Sequence, residues 1–191
     1  MTVRWAAMII TVATLFSGCA SWRTVEVPEH LNAATLQHWD LSGRLGYRTA
    51  ADGGSASLEW RQRSEGGQIL FSGPLGFGSA ELLWNGEGAE LRHGKQRHQA
   101  PTPGALAWML TGMDLPVDAL YYWVRGLPFP GAPAQLQRAD DGSVTGLQQL
   151  GWTLRFDRPE AVGHLVLPHR VRAERGSDRF TLLIHRWVPL S

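Results

Sequence analysis

The stretch Trp39-Asp40-Leu41-Ser42-Gly43-Arg44-Leu45-Gly46-Tyr47-Arg48 (WDLSGRLGYR, residues 39–48) alternates between apolar and polar side chains. Trp39, Leu41, Leu45 and Tyr47 fall on one face of an extended chain, and Asp40, Ser42, Arg44 and Arg48 on the other. Successive side chains of a strand point to opposite faces, so this period predicts a strand with one face buried and one wet, as in an antiparallel sheet. The pattern returns further on. Ala56, Leu58 and Trp60 oppose Ser57, Glu59 and Arg61; Trp152, Leu154 and Phe156 oppose Thr153, Arg155 and Asp157; Phe180, Leu182 and Ile184 oppose Arg179, Thr181 and His185. Turn signals separate such runs at Asp52-Gly53-Gly54, Glu65-Gly66-Gly67, Asn85-Gly86, Gly94-Lys95, Asp141-Gly142 and Gly176-Ser177. About ten or eleven strands are expected.

The middle of the chain breaks the alternation. Thr102-Pro103 suits the cap and first turn of a helix, with Leu106, Met109 and Leu110 on one side and Gly112 closing it. Leu120, Trp123, Val124 and Leu127 then stand at helical spacing, with Asp118 in the first turn and Gly126 near the end. An antiparallel sheet with one apolar face must cover it, and curling around itself with two short helices over the open end does so. That face carries Trp39, Trp60, Trp84 and Trp152, with Trp123 on a helix. Large rings either pack a solid core or line a hollow for a long apolar ligand, and periodicity does not tell the two apart.

The N-terminus defines a separate segment. Arg4 precedes an apolar run from Trp5 to Phe16, and small residues lead into Cys19. This is the order of a secretory signal, too short for a comfortable membrane span. Leu15-Phe16-Ser17-Gly18-Cys19 resembles the bacterial lipobox, with Phe16 where leucine is usual, which implies cleavage before a lipidated cysteine. Cys19 is the only cysteine, so no internal disulfide forms. The expected organisation is a lipoprotein signal peptide at 1–18, a lipidated N-terminus and tether at 19–36, and a single domain at 37–191. Cleavage leaves 191 − 18 = 173 residues, and losing Arg4 turns 18 basic and 17 acidic groups into 17 of each. With no basic block, nucleic acid is not an expected partner. Ala20 rather than aspartate after the cysteine implies the outer membrane under the sorting rule common to lipoproteins.

Enzyme signatures are missing. There is no G-x-S-x-G, no H-E-x-x-H and no cysteine pair for a metal. His93 and His98 flank a hairpin turn, His164 and His169 have odd spacing, and Asp140-Asp141-Gly142 reads as a turn. No catalytic residue, metal site or cofactor is expected. Arg44, Arg61, Arg155, Arg172 and Arg179 are expected on outward faces.

Leu110-Thr111-Gly112-Met113-Asp114-Leu115-Pro116-Val117, running through Trp123 to Gly126-Leu127-Pro128, resembles the signature stretch of the LolB family of outer-membrane lipoprotein receptors. Gly43-Arg44-Leu45-Gly46, Gly73-Pro74-Leu75-Gly76 and Ile184-His185-Arg186-Trp187 match it in kind and order, so the resemblance covers nearly the whole mature chain. It implies an incomplete antiparallel barrel closed by short helices around a hydrophobic cavity. It implies a monomer that takes acylated lipoproteins from the periplasmic carrier LolA and releases them into the lipids of the outer membrane. No cofactor is implied beyond N-acyl and S-diacylglycerol groups on Cys19. The implied membrane-insertion loop is Pro74, Leu75, Gly76 and Phe77, with Leu75 projecting. The implied acyl lining is Trp39, Leu41, Leu45, Leu58, Trp60, Trp84, Leu106, Met109, Leu120, Trp123, Trp152, Leu154, Phe180 and Leu182. Two competing readings are a lipid-anchored barrel for another apolar ligand and a purely structural envelope lipoprotein with a packed core.

Overall fold

The computed structural model describes residues 33–73 and 79–190. Cys19 and the loop residues Pro74, Leu75, Gly76 and Phe77 lie outside the described residues. After a short 3-10 turn at Ala33–Thr35, the chain forms strands β1 (His38–Arg48), β2 (Gly53–Arg63), β3 (Gly66–Ser72), β4 (Ser79–Asn85), β5 (Gly88–His93) and β6 (Gln96–Ala100). Helices α1 (Pro103–Thr111) and α2 (Val117–Trp123) follow, then β7 (Ala134–Arg138), β8 (Val144–Gln149), β9 (Trp152–Val162), β10 (Leu165–Arg175) and β11 (Asp178–Leu190).

All eleven strands join one antiparallel sheet in the order β6-β5-β4-β3-β2-β1-β11-β10-β9-β8-β7. The seam at its middle is long-range: β1 pairs with β11, Trp39 opposite Pro189 and Arg48 opposite Arg179. The alternation at 39–48 thus marks the strand on which the two halves of the sheet meet. Gly43 is required there. The register slips between Ser42 and Gly43, where the two backbones press so close that a Cβ on residue 43 would lie 2.3 Å from the Leu183 carbonyl oxygen. A bulge of this kind sharpens local twist and bends the sheet.

The edges are β6 and β7, consecutive strands in the sequence. Residues 101–133, with both helices, therefore run from one edge to the other. Ten strand spacings laid flat would separate those edges by about 48 Å. α1 and α2 touch each other, α1 lies on β4, β5 and β6, and Trp123 of α2 bonds to Gln149 of β8. Such short helices reach both flanks only if the sheet curls around them. The result is the incomplete barrel expected from the sequence, with the sheet left open between β6 and β7.

Both helices end as glycine positions predict. Gly112 takes φ 63° and donates its N–H to the Trp108 carbonyl at 2.7 Å. Gly126 takes φ 77°; its N–H reaches the Trp123 carbonyl at 2.9 Å, and that of Leu127 reaches Tyr122 at 3.1 Å. Left-handed backbone costs glycine little and satisfies carbonyls that a helix end would leave bare. One continuous core gathers residues from β1–β3, β8–β11, α2 and, through Ala107, α1; a smaller cluster holds Leu106 of α1 against Ala80, Leu82, Ala89 and Leu91. Ala33 and Leu36 are buried in the main core, so packing begins inside the segment expected to be only a lead-in.

Candidate functional site

The apolar face of the sheet and the inner faces of the helices enclose an aromatic interior. Trp39 sits at its centre, with ring centroids 4.9 Å from Trp60, 5.2 Å from Trp187 and 6.3 Å from Tyr121. Trp84 continues the series 6.0 Å from Trp60, edge to face. On the other flank Trp152 packs 5.6 Å from Phe180. Tilted and edge-on ring pairs add about 0.5–1.5 kcal/mol each to the gain from burial alone.

Among the described residues, side chains fill the centre of the interior. Trp39, Met113, Trp123, Trp152, Leu154 and Leu167 are fully buried. Clefts open on the rim and on the polar face of the sheet. One of about 670 Å³ opens beside the start of α1, bordered by Trp84, Gly88, Ala100 and Pro101.

The two helices are fastened in different ways. Gln149, 3% exposed, accepts from the Trp123 indole N–H at 2.8 Å and the Phe129 amide at 2.9 Å. Its own amide donates to the carbonyls of Phe129 at 2.6 Å and Ala132 at 2.7 Å. Arg125 follows α2 and is buried; it donates to the carbonyls of Leu36 at 2.5 Å, Tyr121 at 3.1 Å and Ala33 at 3.2 Å. Its guanidinium lies 4.1 Å from the Tyr121 ring centroid. Burial pulls the pKa of Arg125 down, and the neighbouring tyrosines oppose that pull. At the far end of β1 the hydroxyl of Tyr47 is pushed up, by burial first and by Asp52 second. α2 is thus bolted to the lead-in and to β8 by directional polar bonds. α1 has none to the sheet among the described residues: Thr111 bonds back to its own helix and to Met113, and Leu106 is held by apolar packing. Beyond α1, Arg175 bonds Asp114 through its side chain at 3.2 Å and its carbonyl at 3.0 Å.

Most of the expected lining faces this interior. Trp39, Leu41, Leu58, Trp60, Leu106, Trp123, Trp152, Leu154, Phe180 and Leu182 are buried, and Leu45, Trp84 and Leu120 pack half-buried against the same core. Met109 is the correction. It is 48% exposed beside Trp108 at 58%, on the outer side of α1. α1 is apolar all round, so helical spacing could not tell which side faces in. Sequence reasoning missed Gln149 and Arg125, whose types signal solvent, and Met113 and Trp187, which sit in the LTGM and IHRW stretches. Arg44, Arg61, Arg155, Arg172 and Arg179 are all exposed, as expected. Among the described residues, no three His, Cys, Asp or Glu side chains are grouped to hold a metal, and no helix is long and apolar enough to cross a membrane.

An open antiparallel sheet curled around an aromatic interior, roofed by a two-helix crossover between its edges, is the LolA/LolB-like class of fold. The likeness extends to a LolA superfamily protein from Nitrosomonas europaea (TM-score 0.53, 7% identity, 82% of this chain and 87% of that one). It extends also to a DUF1329 family protein from Desulfovibrio piger (TM-score 0.55, 10% identity, 83% and 89%). Residues 37–187 match the family model described as outer membrane lipoprotein LolB, and the chain belongs to that family. Relatives named outer-membrane lipoprotein LolB include those of Alkalilimnicola ehrlichii, 41% identical over 86% of this chain and 82% of that one. Those of Chromohalobacter salexigens and Stutzerimonas stutzeri are 37% and 35% identical, over 82% and 93% of this chain and 73% and 92% of theirs.

Proposed function

We propose that this chain is an outer-membrane lipoprotein receptor that takes acylated lipoproteins from the soluble carrier LolA and inserts them into the outer membrane. Family membership over residues 37–187 carries this conclusion. It is held on the membrane by acyl groups on Cys19, each buried CH₂ contributing about 0.8 kcal/mol. Pro74, Leu75, Gly76 and Phe77 join β3 to β4, and Leu75 serves release into the bilayer rather than capture.

The job needs an apolar interior and no bond-making step. Three acyl chains hold about 40 methylenes, so exposing them to water would cost on the order of 30 kcal/mol. Passage therefore runs from one apolar enclosure to another and then to the bilayer. A gain of about 1.4 kcal/mol at each hand-off gives tenfold directionality without an energy source. Because side chains fill the interior, an acyl chain enters by displacing some of them. α1, held by apolar packing alone, is the element that moves; α2, tied by Gln149 and Arg125, is the fixed wall. Apolar contacts suit this exchange, since an acyl chain replaces them without leaving a bare donor or acceptor.

The test is a transfer assay: acylated cargo loaded on the carrier, mixed with this protein, then with phospholipid vesicles. Cargo is expected on the protein first and in the vesicles afterwards. Cargo that stays on the carrier in the presence of folded protein would overturn the proposal.

A further inference from the structure

The outer side of α1 is apolar and faces solvent. Trp108 and Met109 are adjacent and exposed, at 58% and 48%, whereas Leu136, Leu150, Val166 and Leu190 are exposed one at a time along other elements. Ala105 and Gly112 beside them are exposed as well. Residues 101–113 contain no charged side chain. A surface helix ordinarily sets charge against its buried stripe; this one presents apolar groups on both sides, and its inner side is already occupied by the sheet.

Its place in the fold is fixed by connectivity. α1 leaves β6 at Ala100, the rim shared with the Asn85–Gly88 turn and Trp39. The chain after α1 reaches Asp114, which bonds Arg175 beside the β10–β11 turn at the opposite rim. α1 therefore runs towards the rim where β3 ends at Ser72 and β4 begins at Ser79, and Trp108 and Met109 stand on its distal half.

We propose that the outer side of α1, centred on Trp108, lies against the hydrocarbon boundary of the outer-membrane lipids and forms a membrane-contact surface distinct from the acyl interior. It rests on the reading of the chain as a tethered membrane receptor. Tryptophan favours this boundary because its ring is apolar and its N–H still meets polar headgroups, and methionine adds a pliable apolar contact. An uncharged helix avoids the desolvation that a lysine or glutamate would meet there. The tether allows the pose: the residues from Cys19 to Ala33 span at most about 48 Å fully extended, against about 37 Å for the length of β1. The far rim can therefore turn to the bilayer while the anchor stays embedded. This surface also couples the two proposed steps, because the helix that yields to an acyl chain is the helix that touches its destination.

The experiment uses the full lipidated protein in phosphatidylethanolamine–phosphatidylglycerol vesicles whose acyl chains carry bromine near the glycerol, a short-range quencher of indole fluorescence. Trp22, three residues from the lipidated Cys19, is replaced by phenylalanine in both proteins. The Trp22→Phe protein is expected to be quenched, and most of that quenching is expected to disappear when Trp108→Phe is added, whose exposed position makes the change mild for folding. Equal quenching in both proteins would overturn the proposal. So would Trp108 that is untouched by bromine but shielded from aqueous iodide when carrier is added, since the surface would then belong to a protein partner. Cargo transfer is measured in the same vesicles. Transfer that persists without quenching refutes the surface alone, whereas quenching without transfer refutes the receptor function and leaves the surface standing.

Discussion

Replacing Leu106 by alanine tests whether α1 is the moving element. Leu106 is 1% exposed and packs on Ala80, Leu82, Ala89 and Leu91. Truncating a leucine so buried costs about 2–5 kcal/mol. Because apolar packing is what holds α1 to the sheet, a middle value near 3 kcal/mol should fall on its undocking. That is an increase of about a hundredfold in the open population. Hydrogen exchange should show α1 amides losing protection by that factor, beyond any loss in β1 and β11. Uptake of a fluorescent acyl probe should quicken similarly. Probe affinity should change far less, because the shortened side chain also gives up about 2 kcal/mol of contact with the acyl chain, at about 0.8 per carbon. Leu154→Ala is the matched control: Leu154 is fully buried in the main core, so its loss should lower the urea midpoint without quickening uptake. If Leu106→Ala leaves α1 as protected as the strands, or slows uptake, α1 is not the way in.

Gln149→Leu should destabilise the fold by about 3 kcal/mol in urea unfolding, since the Trp123 indole and the Phe129 amide lose their acceptor and each buried bare donor costs about 1–3 kcal/mol. A loss below about 0.5 kcal/mol would show that the Gln149 bonds do not hold α2. Leu75→Glu should leave folding and uptake from the carrier near normal while blocking release into vesicles; failure at the uptake step would instead assign Leu75 to the interior. A chain starting at Ala20, exported behind an ordinary cleavable signal peptide so that neither Cys19 nor residues 1–18 remain, should be found in the soluble fraction after cell lysis, and firm membrane retention of that form would contradict the anchor.

The strands and their order along the chain were legible because half-buried strands write their burial as alternation, and the Trp39–Arg48 stretch does so clearly. The helices were legible through their ends, Pro103 with Gly112 and Asp118 with Gly126. The closing partner of β1 was not: nothing local to Trp39 names Pro189, since that pairing is fixed by how ten hairpin and crossover connections fit together. Met109 was misplaced because a helix with no polar side has no phase to read. Gln149 and Arg125 escaped notice for the opposite reason. Their polarity is satisfied by backbone groups far along the chain, and no composition rule separates a buried clip from a wet side chain. Whether the aromatic interior was hollow or filled was equally invisible, as alternation reports which way a side chain points and not what it meets.

Two edge strands, each only five residues long, have a mechanical meaning. A closed barrel has a girth set by strand number and stagger, and widening it means breaking a ladder. Here the wall is a split ring. Its lips can part or approach by flexing the sheet while every interstrand bond survives, so the girth can follow the cargo. A lipoprotein receptor gains from such elasticity, much as a spring collet grips rods of different gauge.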